Sequence, residues 1–254
     1  MADATFDPLR PAVLAELLRL AEEAAHIGGG ISRDWFKREF QTRRKSDGSS
    51  VTDVDEAAQR AVTNHLLAAR PDDAVIAEET LPDDPDVAAT PRYAPANDRI
   101  CWIIDPIDGT RNFICGVPLY ACTVAAMWQG HVVVGVTYDP QRDTLYSVAQ
   151  GEALQLDGEP VQPHGTSSRP VVGIPSTLKG ESWQLVQRWG ASVVVRNLGT
   201  TALHLALVGA GRMHASFNAD GKLWDIAAGA LMVSAAGGTI TDLAGQPVFP
   251  LDVG

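Results

Sequence analysis

The sequence predicts a protein of layered α-helices and β-sheets, and three patterns along the chain support this. Residues 100–104 (ICWII) are apolar on both faces, as in an interior strand of a covered sheet. Residues 120–156 hold strand-like runs separated by turn residues, which is typical of an antiparallel meander. After Pro170, short strands and helices alternate. We therefore expect an α+β fold in which helical and sheet layers pack on one another.

The first part of the chain should be helical. Apolar residues recur at helical spacing from Leu9 until the three glycines at 28–30 loosen the helix, and a second short helix is predicted at 35–40. A hairpin with its turn at 47–48 should follow, and then a helix whose cap is one of the two residues at 52–53.

The remaining elements follow from the same patterns. A short strand at 75–77 and a surface loop at 81–98 should precede the buried strand. Beyond the meander we expect strands at 171–174, 193–195 and 213–217, and helices at 181–189, at 200–208 and from Asp225. With 254 residues, one large domain or two closely packed halves are both possible. We expect a single domain over 1–254, with a sheet-rich half at about 1–165 and an α/β half at about 166–254.

Composition excludes several classes of partner. The 20 basic and 31 acidic residues give a net charge of -11, which opposes binding to nucleic acid or to an anionic membrane. The three cysteines lie in apolar surroundings without the spacing of a zinc site or a disulfide framework. No signal-peptide pattern or membrane-spanning run is present, so we expect a cytoplasmic protein.

Four acids stand at or beside the ends of predicted elements: Glu78, Asp105, Asp108 and Asp225. Carboxylates in such places are held by a rigid scaffold and remain open to solvent, and hard oxygen ligands of this kind suit Mg²⁺. Any single one of them could instead be a solvated loop acid or a helix cap, and Asp225 is the clearest example.

The stretch from Asp105 to Phe113 favours a functional site. Two acids end an apolar strand, and Gly109 and Thr110 follow at a predicted helix start. Gly109 would let a ligand approach the backbone closely, and free amides at a helix start favour phosphate. Metal ions on one side and amides on the other predict a site for phosphoryl chemistry.

With these motifs the sequence resembles the inositol monophosphatase family, within the wider group that includes fructose-1,6-bisphosphatases and 3'-phosphoadenosine 5'-phosphate phosphatases. The resemblance rests on four motifs in the family's order: residues 51–55 (VTDVD), 77–80 (AEET), 102–113 (WIIDPIDGTRNF) and 223–229 (LWDIAAG). It implies an alternating α-β-α-β-α sandwich, a homodimer, sensitivity to lithium, and a small phosphorylated metabolite as substrate.

The resemblance also implies how metal ions are bound. Glu78, Asp105 and the carbonyl of Ile107 would hold a first Mg²⁺, and Asp105, Asp108 and Asp225 would hold a second. Glu78 would also reach a weaker third ion, so that two or three Mg²⁺ ions occupy the site.

The resemblance also implies catalytic and substrate-binding roles for residues at matching positions. Thr110, paired with Asp55, would orient the attacking water and help to deprotonate it, with Glu78 beside them. The amides of Gly109 and Thr110 would bind phosphate, although Asp55 and Thr110 could also be only helix-terminal residues. The substrate side would be formed by the following residues: Arg196, Gly199, Thr200, Thr201 and Asn218.

Several positions leave alternatives open. Asn218 stands where inositol-specific members have an acid that contacts polyol hydroxyls, with Asp220 nearby, which weakens an inositol assignment. Lys45 matches a family lysine close to the metals, but a solvated hairpin lysine is an equal alternative. His204 and His214 lie in apolar segments and are expected to be structural.

The leading hypothesis is a Mg²⁺-dependent phosphatase for inositol monophosphate or a similar small monoester. Histidinol phosphate is the alternative substrate, because Asn218 leaves room for it. Hydrolysis of 3'-phosphoadenosine 5'-phosphate or of fructose 1,6-bisphosphate is less favoured. A binding or regulatory module without turnover is a hypothesis of another class, and the complete set of acids argues against it.

Overall fold

The computed structural model describes residues 9–45, 50–79, 99–162, 168–178, 180–190, 192–219 and 221–251. The helices are α1 (Pro11–Trp35), α2 (Asp53–Ala69), α3 (Thr110–Ile114), α4 (Glu181–Trp189), α5 (Thr201–Gly209) and α6 (Leu223–Ala235). The strands are β1 (Thr42–Arg44), β2 (Ser50–Thr52), β3 (Ala74–Ala77), β4 (Cys101–Asp108), β5 (Ala121–Trp128), β6 (His131–Asp139), β7 (Thr144–Ala149), β8 (Gln155–Leu156), β9 (Glu159–Pro160), β10 (Val171–Gly173), β11 (Val194–Arg196) and β12 (Ala215–Ser216). The predicted turn at 47–48, the loop at 81–98 and Asp220 lie outside the described residues.

A seven-stranded sheet forms the centre of the molecule. Its strands follow chain order, β3-β4-β5-β6-β7-β8-β9, with β3 parallel to β4 and every later pair antiparallel. The predicted meander is therefore confirmed. β4 is buried along its whole length, as its two-faced apolar sequence predicts.

Helices cover both faces of this sheet. On one face α1 and α2 contribute a core that includes Leu17, Leu66 and Ile104. On the other face α5 and α6 pack against side chains such as Ile103. The parallel sheet β11-β10-β12 lies against α5, and α4 lies beyond it, with Trp189 of α4 in edge contact with Phe217. The order is helix, sheet, helix, sheet, helix, which agrees with the predicted sandwich.

The prediction that the glycines at 28–30 loosen the first helix is wrong, because α1 continues through them to Trp35. Gly28 and Gly29 allow the helix to lie close to the sheet. A Cβ at Gly28 would lie 2.7 Å from Sγ of Cys122, and one at Gly29 would lie 2.3 Å from a ring carbon of Tyr138. Close helix–sheet contact compensates for their poor helix propensity.

The short second helix predicted at 35–40 is also absent. Phe36 ends α1, and Lys37 takes a left-handed backbone conformation that no helix continues through. The aromatic rings are used for packing instead, since Phe36 and Phe40 both contact Phe113 of α3.

The two adjacent positions 29 and 30 provide a matched test of this packing. Gly29→Ala should destabilise the protein by about 1–3 kcal/mol, because the added methyl group would overlap Tyr138. Gly30→Ala meets no atom within 4 Å in the same helix, so it should stabilise by up to about 1 kcal/mol. Urea denaturation measures both free energies of unfolding. Equal effects at the two positions would contradict the close approach of α1 to the sheet.

Candidate active site

The acids of the candidate site lie at the C-terminal ends of two strands and in the first turn of one helix. Asp105 and Asp108 lie in the last four residues of β4. Glu78 directly follows the parallel neighbour β3, and its amide donates to the carbonyl of Ile104 at 3.1 Å. Asp225 is the third residue of α6, so the helix start predicted at this acid lies two residues earlier. The structure therefore brings all four predicted acids to one edge of the sheet.

Three of these carboxylates form a compact cluster. Asp105, Asp108 and Asp225 each offer an oxygen atom, and these atoms lie within 4.8 Å of one another. Asp105 is 1% exposed and Asp108 is 8% exposed. Like charges at this distance and depth repel strongly unless a cation or protons neutralise them.

Backbone amides and one hydroxyl hold the carboxylates in place. Oδ2 of Asp108 accepts hydrogen bonds from the hydroxyl of Thr200 and, at 2.6 Å, from the amide of Ala202 at the start of α5. Oδ1 of Asp105 accepts from the amide of Ile107 at 3.0 Å. These bonds fix the orientation of both carboxylates at the edge of the cleft.

Burial raises the pKa of each carboxyl group in the cluster. The pKa of Asp105 lies well above its usual value, because the group is desolvated and faces Glu78, Asp108 and Asp225. Desolvation and the charge of Asp225 raise the pKa of Asp108 to about 8, and desolvation raises that of Asp225 to about 6. A divalent cation with oxygen ligands would remove this cost, so the residues present fit a bound metal ion.

Lys45 lies at the site. Its ammonium group contacts Oε1 of Glu78 at 2.9 Å and Oε1 of Glu79 at 2.6 Å, and its side chain is 20% exposed. Burial raises the pKa of Glu79 to about 7, with Lys45 acting in the opposite direction. The alternative of a solvated hairpin lysine is therefore wrong, and Lys45 partly neutralises the acids that follow β3.

Asp55 and Thr110 meet across the site, as predicted. Asp55 is the third residue of α2 and forms a capping box with Thr52, accepting from its amide at 2.9 Å and from its hydroxyl. The hydroxyl of Thr110 lies 3.1 Å from Oδ1 of Asp55 and 3.0 Å from the carbonyl of Ile107. Burial raises the pKa of Asp55 to about 6, although the bonds from Thr52 favour its charged form.

Gly109 caps α3 in a conformation that needs glycine. Its φ is 100°, and a Cβ there would lie 3.1 Å from the carbonyl oxygen of Leu119 and 3.3 Å from that of Gly199. Both Gly109 and Thr110 line the cleft beside the carboxylates. Phosphate binding by their amides stays a prediction.

The three clustered carboxylates, Gly109 and Thr110 line one open cleft with a volume of about 530 Å³. Four of the predicted substrate residues line it: Gly199, Thr200, Thr201 and Asn218. The side-chain amide of Asn218 donates to the hydroxyl of Thr201 at 2.9 Å. Arg196 is the exception, because it is not among the residues that line the cleft, and its guanidinium donates to the carbonyl of Val195.

The cleft also contains residues that sequence reasoning did not assign to it. Among them are Arg111, Asn112, His204 and Lys222. Arg111 and Asn112 stand inside the motif at 102–113, so their position in that motif was an available signal. His204 was expected to be structural, and no local pattern distinguishes it from a core histidine.

Comparison with known proteins shows similarity along nearly the whole chain. The family model "Inositol monophosphatase family" matches residues 13–254. The chain is 34% identical over 252 residues to an inositol-1-monophosphatase of Mycobacterium bovis, covering 92% of this chain and 84% of the relative. It is 30% identical over 241 residues to Nus factor SuhB of Escherichia coli, covering 90% of this chain and 86% of the relative.

Solved structures of similarly named proteins share the fold of this chain. An IMPase from Thermotoga maritima superposes with a TM-score of 0.76 at 28% identity, covering 92% of this chain and 87% of that one. The suhB protein of Bartonella henselae superposes with a TM-score of 0.77 at 29% identity, covering 91% and 89%. In the described part of the chain, no helix is both long and apolar enough to cross a membrane.

The raised pKa of Asp108 predicts how pH affects the metal-free protein. The folded pKa, about 8, exceeds the unfolded value of about 4, so the folded state binds more protons between these values. This group's contribution to stability therefore falls as pH rises. With a chelator present, the free energy of unfolding of Asp108→Asn relative to that of the wild type should rise by roughly 1–3 kcal/mol as pH increases from about 5 to about 8. Chemical denaturation measures the difference at each pH.

A surface variant on α1 provides the control for this measurement. Asp34→Asn changes an exposed carboxylate and should alter the free energy of unfolding little at either pH. If the advantage of Asp108→Asn over the wild type were the same at both pH values, the buried carboxylate would not be the source of the pH dependence.

Proposed function

Since this chain belongs to the inositol monophosphatase family and is a phosphoric monoester hydrolase, we propose that it hydrolyses a small phosphate monoester of a polyol or amino alcohol with Mg²⁺ as its cofactor. The observation that carries the proposal is the convergence of Asp105, Asp108 and Asp225 within 4.8 Å, beside Gly109 and Thr110 in one cleft. Hard oxygen ligands beside the backbone amides of a helix start are what metal-assisted phosphoryl transfer requires.

The ligands divide into two main sets. Glu78, Asp105 and the carbonyl of Ile107 would hold one ion, and Asp105, Asp108 and Asp225 would hold another. Glu78 would also reach a third. When bound, Mg²⁺ would lower the pKa of a coordinated water and neutralise charge on the phosphoryl and leaving oxygens.

Asp55 and Thr110 are placed to move one proton. As the water oxygen forms its bond to phosphorus, Oγ1 of Thr110 takes a proton from that water and passes its own proton to Oδ1 of Asp55, 3.1 Å away. The bond between phosphorus and the leaving oxygen breaks, and the leaving oxygen takes a proton from solvent water. Asp55 then releases its proton to solvent, and the products are the free alcohol and inorganic phosphate. Burial favours this role, because it raises the pKa of Asp55 to about 6 and makes its carboxylate a better base.

The remaining cleft residues define the class of substrate. Arg111 and Lys222 bring positive charge to a cleft that is otherwise strongly acidic, which favours a phosphorylated ligand. Asn218 and Thr201 offer neutral hydrogen-bonding groups to the leaving alcohol. Inositol monophosphate is the leading candidate, and histidinol phosphate is the alternative because a neutral amide at 218 suits an amino alcohol as well as a polyol.

A role outside catalysis is the competing proposal. Several relatives are named as Nus factors, and a regulatory module could keep this fold without turnover. The complete set of acids, together with the contact between Asp55 and Thr110, favours catalysis. A homodimer, implied by the resemblance, and a cytoplasmic location, expected from composition, stay predictions.

Phosphate release from a panel of substrates tests the proposal. We expect Mg²⁺-dependent release from inositol 1-phosphate or histidinol phosphate, and weaker release from fructose 1,6-bisphosphate and 3'-phosphoadenosine 5'-phosphate. Thr110→Ala should lower kcat by about 100-fold or more, because it removes the hydroxyl that relays the proton, and Thr110→Ser should retain most of the rate.

Asp105→Asn provides the metal control and should abolish release from every compound. Absence of metal-dependent release by the wild type from the whole panel would contradict the phosphatase proposal for these substrates and favour the regulatory module.

A further inference from the structure

Side chains hold both backbone polar groups of Leu198, its N–H and its carbonyl. Its amide donates to Nε2 of His204 at 3.1 Å, and its carbonyl accepts from Nδ2 of Asn112 at 2.7 Å. Asn112 also donates to the carbonyl of Leu119 at 2.6 Å. The loop between β11 and α5 is therefore fastened from two sides, by a residue of α5 and by a residue of α3.

His204 is built into the fold as a neutral acceptor. It is 3% exposed, and burial lowers its pKa to about 4, so that Nε2 carries a lone pair near neutral pH. The ring packs directly on Gly173 of β10, where a Cβ would lie 2.8 Å from it. Only a glycine at position 173 leaves room for the ring on that side.

Asn112 connects the two halves of the cleft. It lies on α3, directly after the end of β4, and it reaches the loop that enters α5. A Cβ at Gly199 would lie 2.6 Å from Nδ2 of Asn112, so the loop backbone approaches this side chain as closely as glycine allows. The amide group thus joins the large-sheet side to the small-sheet side.

The two residues that follow Leu198 contact Gly109 and the carboxylate of Asp108. The carbonyl of Gly199 lies against Gly109, and the hydroxyl of Thr200 donates to Oδ2 of Asp108. A shift of the Leu198 peptide would therefore move the hydroxyl that orients Asp108. We propose that His204 and Asn112 are positioning residues, which hold the Leu198 peptide so that Thr200 keeps Asp108 in its binding orientation.

This inference rests on the proposed function only in naming Mg²⁺ as the ion, and its first readout is binding rather than turnover. His204→Phe keeps the ring and removes the acceptor, whereas His204→Gln keeps an acceptor at about the same distance from the backbone. In calorimetric titrations without substrate, His204→Phe should weaken Mg²⁺ binding by about 10-fold or more, and His204→Gln should restore most of it.

His214 provides a matched control. Its Nδ1 accepts a hydrogen bond from the amide of Val171 at 3.0 Å on the same small sheet, and it does not line the cleft. His214→Phe removes the same kind of bond and should leave Mg²⁺ binding and kcat unchanged. Asn112→Ala is a second, independent variant, because it removes the hydrogen bond to the Leu198 carbonyl. It should also weaken Mg²⁺ binding, and it keeps the test available if His204→Phe does not fold.

The outcomes separate this inference from the proposed function. If His204→Phe and Asn112→Ala lower the melting temperature but bind Mg²⁺ like the wild type, their role is packing and the inference is overturned. A wild type that binds Mg²⁺ but hydrolyses nothing in the panel contradicts the phosphatase proposal alone. In that case a loss of Mg²⁺ binding in both variants, with His214→Phe unaffected, still supports the positioning role.

Discussion

The repulsion among three clustered carboxylates, two of them buried and one half-buried, is the constraint on which the rest of this structure depends. Asp105, Asp108 and Asp225 place their oxygens within 4.8 Å, in surroundings that raise the pKa of each group. A fold tolerates such an arrangement only if other interactions fix the carboxylates and if a cation or bound protons neutralise their charge. The cost to stability and the capacity to bind a metal ion therefore have the same physical origin.

The layered architecture supplies those interactions. β4 is buried on both faces, so the covering helices hold its final residues rigidly, and the parallel neighbour β3 brings Glu78 to the same edge. The start of α5 directs one amide and one hydroxyl at Asp108, and α6 carries Asp225 in its first turn. Each of the four acids belongs to a regular element or lies directly beside one, which limits how far the cluster can relax.

Much of this could be predicted from the sequence, because the signals are local. The two-faced apolar run before Asp105, the meander and the capping residue Thr52 each follow from a few neighbouring residues. The course of α1 through Gly28 and Gly29 could not be predicted, because the benefit of glycine there depends on Cys122 and Tyr138 more than 90 positions away. The partner of His204 is likewise set by how α5 packs on the small sheet.

The most direct test of the account is a crystal structure of the protein soaked in Mn²⁺, with anomalous difference density measured at the cleft. We expect a strong peak coordinated by Asp105 together with Asp108 and Asp225, and a second peak between Asp105 and Glu78. Density confined to other sites, with the three carboxylates unchanged and unliganded, would contradict the claim that this cluster exists to bind metal ions.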